Sequence, residues 1–409
     1  MSETNELRIA VIGAGPAGVY SSDIFLRQLG KLGEELGLGT KARIDLFEKL
    51  PVPFGLVRYG VAPDHPSIKF IASALEKTLD NPDIHLYCDV EFGKDVTLDE
   101  LLERYDAVLF ATGAVEDKPL GLPGADLDGV YGAAKFVEWY DGYPTGAREW
   151  PLEAEEVAVI GGGNVAMDVA RSAVRCGAEK VSIVYRRRIC DMTAQDAEIA
   201  GAQAEGCEVL ELTAPLAIET GEDGRVSGLR VQPQIIGEPR RGRPAPRAAA
   251  TPERVIPCER VFVAIGQDID SKPFEEMGIA CKWGCVVTDS DGAVPNFDGL
   301  FSGGDCQTGP ATVIRAINAG RVASANIDRY LGFDHKIKLD VELPTVQFKG
   351  KHECGRCELG EREAGERIHD WNLVEQGLTE QEARQEASRC LRCDHFGFGA
   401  FRGGRNLEW

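Results

Sequence analysis

Two glycine patterns in this chain, Gly13-x-Gly15-x-x-Gly18 and Gly161-x-Gly163-x-x-Ala166, have the spacing that turns a backbone tightly and brings it close to a pyrophosphate. Each follows an apolar strand-like run and opens a helix-like one, so the positive end of a helix faces the phosphates. After the first pattern, Glu48 closes the next strand, where a carboxylate can accept from ribose hydroxyls. After the second, whose third glycine is replaced by the accepted alanine, Tyr185-Arg186-Arg187-Arg188 stands at the corresponding strand end. Guanidinium groups there exchange a diol acceptor for a 2′-phosphate clamp, which points to NADP(H) over NAD(H). A third chemistry-bearing feature is a pair of close cysteine pairs, Cys354-Gly-Arg-Cys357 and Cys390-Leu-Arg-Cys393. Four thiolates suit zinc or an iron-sulfur cluster, and spacing alone does not separate the two.

The elements that must position these groups read as two βαβ units. LRIAVIGAGPAGVYSSDIFLRQLG followed by ARIDLFEK is one, with GKLGEELGLGT lengthening its loop; EVAVIGGGNVAMDVARSAVRCG followed by KVSIVYRRR is the other. Buried-strand patterns at 105–113 and 261–266 mark crossings between them. A turn-rich stretch then leads to a last strand and the helical run ATVIRAINAGRVASANIDRYL. The fold expected is therefore α/β: two Rossmann-like dinucleotide-binding domains, the NADP domain inserted in the first, plus a small C-terminal cysteine module. The boundaries expected are 1–115 and 295–335 for the first domain, 116–294 for the second and 336–409 for the module. Within that module Thr379 and Glu382 form a capping-box pattern, which puts Cys390 and Cys393 at the C-terminal end of a helix.

Composition bounds the partners. The chain has 409 residues, 43% hydrophobic and 27% charged, with a net charge of −21. That length accommodates two domains and a small third. The acidity argues against nucleic acid. Arg240, Arg241, Arg243 and Arg247 are a local basic exception, read as a solvated hairpin tip. No apolar run is long enough to span a membrane, and the start, MSETNELRIAVIG, lacks a basic leader, so a cytoplasmic protein is expected. Of twelve cysteines, Cys88, Cys176, Cys190, Cys207, Cys258 and Cys306 are isolated and read as small hydrophobes.

LPVPFGLVRYGVAPDHPSIK (50–69) and DVEFGKDVTLDELLERYDAVLFATGA (89–114) resemble adrenodoxin reductase and the bacterial ferredoxin-NADP reductases of that type. VAVIGGGNVAMDVAR, YRRRICDMTAQDAEIAGAQAEG and FSGGDCQTGPATVIRAINAGR are similar to the small subunit of glutamate synthase. The two groups share one architecture, and the resemblance runs over about residues 7–332. It implies FAD at the first fingerprint, with contacts at Ala17, Glu48, Leu56, Val90, Asp305, Val313 and Ile314. It implies NADP(H) contacts at Asn164, Val165, Ala166, Arg186, Arg187 and Glu198. It also places Thr312 where nicotinamide and flavin meet, with His65 near the flavin. The stretch Gly303-Gly304-Asp305 then closes a strand beside the flavin, and Gly309–Ile314 opens a helix toward its N1 and O2 edge. Hydride passes directly between stacked rings, so no acid or base is required.

EASRCLRCD resembles the cluster-binding segment of glutamate-synthase-like subunits, which favours an iron-sulfur cluster at Cys354, Cys357, Cys390 and Cys393 over zinc. The partner implied is ferredoxin or an iron-sulfur subunit, met by a free-standing reductase or within a larger glutamate-synthase-like or electron-bifurcating complex. A disulfide reductase of thioredoxin reductase type shares the layout but needs a cysteine pair beside the flavin, which neither PFGLVRYGVAP nor the second unit supplies.

Overall fold

A computed structural model describes residues 6–36, 41–143, 156–240, 243–333, 351 and 353–390. Strands β1 (Glu6–Ile12), β2 (Lys41–Phe47), β3 (Ile84–Tyr87) and β4 (Ala107–Phe110) belong to the first domain. A two-residue strand, β5 (Glu116–Asp117), leads out of it. The second domain holds β6 (Val130–Gly132), β7 (Glu156–Gly161), β8 (Lys180–Val184) and β9 (Glu208–Leu210). It continues through an antiparallel group of β10 (Thr213–Thr220), β11 (Val226–Arg240), β12 (Arg243–Ala248) and β13 (Arg254–Pro257) to β14 (Arg260–Ala264). Then β15 (Gln267–Asp268) pairs back with β5, a hairpin of β16 (Cys281–Lys282) and β17 (Cys285–Val286) follows, and β18 (Leu300–Ser302) ends the first sheet.

Both principal sheets are five-stranded and parallel, in the orders β18-β4-β1-β2-β3 and β6-β14-β7-β8-β9. Strands covered on both faces read as unbroken apolar runs, and β4, AVLF, is buried at all four positions. The first fingerprint helix, Pro16–Leu36, is crossed by the late helix Val313–Tyr330. A Cβ on Gly320 would stand 2.4 Å from the Ala17 carbonyl oxygen, so only glycine permits this approach. Ser324 Oγ seals the crossing by donating to the Ser21 carbonyl at 2.8 Å.

The insertion expected from sequence is present, but the chain returns early. Ile269, Phe274, Ile279 and Val286 pack with Ala10, Val108 and Phe110 in the first domain's core, and the Phe110 and Phe274 rings lie 5.0 Å apart. On that packing we draw the second crossing at the β5–β15 pair rather than at residue 295. The hairpin at Arg240 and Arg243 and the capping box at Thr379 and Glu382 form as expected. Cys207, Cys258 and Cys306 are buried, whereas Cys190 is exposed. Among the described residues no helix is long and apolar enough to cross a membrane.

A buried ionic cluster ties the three parts together. Arg171 and Arg175, one turn apart on the second fingerprint helix Asn164–Arg175, converge on Glu205 at 2.9 and 2.5 Å. Asp64 of the first domain lies 3.2 and 3.3 Å from the same two guanidiniums, and Arg367 of the C-terminal module reaches Glu205 at 2.8 Å. Burial alone would raise the Glu205 pKa, but the Arg171 and Arg175 hydrogen bonds hold it below the usual carboxylate range. Its contribution is therefore present above the ordinary carboxylate pKa and is lost as pH falls through the depressed native value. Glu205→Gln strands buried cations and should cost about 3–5 kcal/mol in urea unfolding; a cost below about 1 kcal/mol would count against this reading.

Candidate functional site

The first fingerprint turn is built as its glycines require. Gly13 has φ +107°, and a Cβ there would stand 2.4 Å from the Ala111 carbonyl oxygen; a Cβ on Gly18 would stand 2.0 Å from that of Gly13. At Gly15 a Cβ would meet nothing within 4 Å, because that backbone borders an open cleft. Ala17, Glu48, Leu56 and Val90 also line this cleft, as do Asp305, Thr312 and Val313 from the far side. Gly304, at φ +79°, sits behind the wall against Ala17. Ile314 is not on the wall: it is 78% exposed at the start of its helix.

Glu48 is buried, and its carboxylate accepts from the Ala14 N–H at 2.9 Å and the Leu50 N–H at 3.0 Å. Burial pushes its pKa up, and those two amides oppose the shift. The side chain expected at a ribose thus also braces the glycine turn. Burial likewise pushes Asp305 up, against an N–H from Ala311. Thr312 caps the Val313–Tyr330 helix, its hydroxyl accepting from Arg315 N at 3.4 Å. Sequence reasoning missed Phe274 and Gln267 on this wall, which arrive only through the early return of the chain.

The second fingerprint packs by the same logic. A Cβ on Gly161 would stand 2.3 Å from the Ala264 carbonyl oxygen and 3.0 Å from Ala166 Cβ, which is itself fully buried. Gly163 is the N-cap of the helix, and its nearest prospective contact is Thr193 Oγ1 at 3.5 Å. Asn164 Oδ1 accepts from Gln195 N at 2.9 Å. Val165, 41% exposed, lines the first cleft. At the end of β8, Arg186 is exposed with no partner among the described residues. Arg187 donates from Nε to the Pro244 carbonyl at 2.7 Å, and Arg188 is taken up by Asp191 at 2.8 and 3.0 Å.

Between the domains, His65 Nε2 lies 3.3 Å from Asp168 Oδ1 and 3.9 Å from Glu198 Oε1, while Glu198 Oε2 accepts from Arg171 at 2.8 Å. The His65, Asp168 and Glu198 donor atoms all lie within 4.8 Å of one another, close enough for a cation. The guanidinium already on Glu198 makes the group an ion-pair network instead. Glu361, Leu373, Val374 and Glu375 of the C-terminal module border the same pocket as His65, Asn164 and Glu198.

In that module Cys354 and Cys357 pack on the helix Glu380–Arg389, with Cys354 Sγ 4.0 Å from Ser388 Oγ and Cys357 Sγ 3.7 Å from the Glu382 carbonyl. Cys390 caps the end of that helix, and Cys393 lies outside the described residues. Desolvation and the neighbouring Glu386 and Glu382 push the Cys357 thiol above its ordinary pKa.

The hydrogen bond to Asp168 raises the His65 pKa, against desolvation, with Asp64 and Glu198 adding to it. Its stabilising contribution is complete below the ordinary histidine value of about 6.5 and is lost as pH rises through the raised native value. The melting-temperature gap between wild type and His65→Gln should therefore be widest in mild acid and close in alkali; a gap that widens with pH would contradict the assignment.

A family description for pyridine nucleotide-disulphide oxidoreductases matches residues 7–320. The small chain of NADPH glutamate synthase from Halomonas elongata is 34% identical over 335 residues, covering 79% of this chain and 68% of its own. The mitochondrial NADPH:adrenodoxin oxidoreductase of Drosophila melanogaster is 44% identical over 171 residues, 42% of this chain and 34% of its own. The solved structure of FprA, an oxidoreductase of Mycobacterium tuberculosis, superposes with a TM-score of 0.70 at 25% identity, covering 80% of this chain and 85% of that one. The chain spans about half the length, 55% and 49%, of the first curated relatives it matches. With a match that runs through both fingerprints and into the helix that closes the first domain, the chain belongs to the pyridine nucleotide-disulphide oxidoreductase family.

Proposed function

We propose that this chain is an NADPH-dependent flavoprotein oxidoreductase that holds FAD in the first cleft and NADP(H) on the second fingerprint, and exchanges electrons with ferredoxin or an iron-sulfur partner. The observation that carries this reading is that Val165, in the first turn of the second fingerprint helix, lines the cleft of the first fingerprint. A residue of the second dinucleotide motif on the wall of the first motif's cavity suits a hydride donor and acceptor that must stack. FAD fits the donor set: the space a Cβ would enter at Gly15 is open, and the cleft wall is mainly apolar. FAD held in this cleft would supply hydride acceptance and one-electron release.

The chain's own groups bind and orient. Gly13, Gly15 and the helix behind them receive a pyrophosphate, and Glu48 faces a ribose. Asp305 with Ala17 holds the flavin side, while the Thr312-capped helix start directs a positive end toward it. Gly161, Gly163 and Asn164 receive the second pyrophosphate, with Ala166 packed beneath the turn; Arg186 and Arg187 take the 2′-phosphate, and Glu198 is a further NADP(H) contact. No cysteine is among the residues that line the cleft, which weighs against a disulfide reductase.

The four cysteines Cys354, Cys357, Cys390 and Cys393 are proposed to bind an iron-sulfur cluster, with zinc as the alternative. A second reading, an electron-transfer subunit of a larger complex, is favoured by this terminal module and by likeness to a protein named as a small chain. Anaerobic NADPH should bleach the visible flavin band of the FAD-loaded protein far faster than equal NADH; equal rates would rule out the 2′-phosphate assignment. Anaerobically purified protein should carry iron and sulfide that Cys354→Ala loses while keeping flavin, whereas zinc without iron would leave the module a structural clip.

A further inference from the structure

Residues 243–247 of the basic stretch, unassigned by the reading above, fold against the proposed 2′-phosphate loop. β11 is fifteen residues long; its first half pairs with β10 and β13, and its second half runs on with β12 as a two-stranded arm. The arm and the loop after β8 are fastened to each other. The Leu212 N–H donates to the Arg187 carbonyl and the Thr213 N–H to the Tyr185 carbonyl, both at 2.9 Å, while the Gln234 N–H of β11 donates to the Leu212 carbonyl at 2.6 Å. From β12, the Pro244 carbonyl receives Arg187 Nε at 2.7 Å. The neighbouring Arg243 donates from Nη2 to the Asp191 carbonyl at 3.2 Å.

We infer that the β11–β12 arm is a second wall of the 2′-phosphate site, in which Pro244 aims Arg187 and Arg243 supplies a third guanidinium beside Arg186 and Arg187. This rests on the NADP(H) reading of the second fingerprint.

A ribose 2′-phosphate near neutral pH carries close to two negative charges and three acceptor oxygens. One guanidinium does not neutralise it, and Arg188 is unavailable because Asp191 holds it in a two-point ion pair. Arg186 is free among the described residues. Arg187 spends only its Nε on Pro244, which fixes its plane and leaves both terminal amino groups for a phosphate. Arg243 spends one Nη2 hydrogen bond on a backbone carbonyl, so its charge is not cancelled by that contact. The acids at this loop are Asp191, already paired, and Glu211, which accepts from the Ile189 N–H at 2.7 Å. In a chain of net charge −21, Arg186 and Arg187 on this loop and Arg243 on the arm fastened to it are a local reversal of sign, at the strand end where a 2′-phosphate would separate one coenzyme from the other.

Calorimetric titration of the FAD-loaded protein with 2′,5′-ADP and with 5′-ADP tests this. Arg243→Gln should weaken 2′,5′-ADP roughly tenfold, about the worth of one charge-assisted contact, and change 5′-ADP less than about twofold. Arg243→Lys should recover part of the loss. Because Arg243 is exposed at the arm, both variants should melt as wild type does. If Arg186→Gln weakens 2′,5′-ADP selectively but Arg243→Gln does not, the arm takes no part and the NADP(H) reading stands. If neither variant discriminates the two nucleotides, the 2′-phosphate site itself is misplaced and the inference falls with it.

Discussion

Glu205 accepts buried arginines from two different parts of the chain, and the relative placement of the domains depends on it. Arg171 and Arg175 come from the second fingerprint helix and Arg367 from the C-terminal module; Asp64, on the first domain, balances the two helix arginines from the other side. Isolated, each of these charges would be expensive to bury. Together they satisfy one another only when all three parts are in place, so the cluster penalises every other arrangement. The covalent link offers no such constraint: it consists of two short crossings whose β5 and β15 strands contribute two residues each.

The cluster also decides what meets in the cleft. It fixes the second fingerprint helix by its C-terminal half, and the opposite end of that helix carries Val165 into the cleft of the first fingerprint. His65 and Lys69 extend the same seam, with Lys69 2.8 Å from Asp141 and the Tyr59 and Tyr143 rings 5.0 Å apart. One segment of the first domain, 59–69, therefore supplies the contacts that orient the second. Burial raises the pKa of Asp141 to about 6, with Lys69 opposing, so this end of the seam and His65 both change charge nearer neutrality than the arginine cluster does.

Local patterns were legible where a short stretch of backbone determines the structure. The glycine turns, the capping box at Thr379 and Glu382 and the family motifs all depend on neighbours in sequence, and they gave the two nucleotide-binding folds, the insertion and the hairpin. What escaped depends on partners far along the chain. The early return at 267 rests on Phe274 meeting Phe110 and Phe92. Arg171 and Arg175 did carry a signal: two arginines at a spacing of four within a helix otherwise rich in buried small residues invite a buried acid, but nothing local names Glu205. Glu48 was read for a ligand, and its second role of bracing Ala14 appears only once the turn is folded.

The same reasoning constrains the cysteine module. Its described contacts are mostly with the second domain: Arg367 on Glu205, the Trp371 ring under Arg175 at 5.7 Å and beside Tyr140, and the Asp370 carbonyl accepting from Arg175 at 3.1 Å. These anchors lie between the two cysteine pairs in sequence, and internal ion pairs of Arg362 with Asp370 and Arg367 with Glu361 stiffen the segment. A module held this way travels with the second domain. Any rotation that opened the seam at His65 would move this segment with the second domain and not with the first cleft. The arginine cluster at Glu205 is the element that closes the seam.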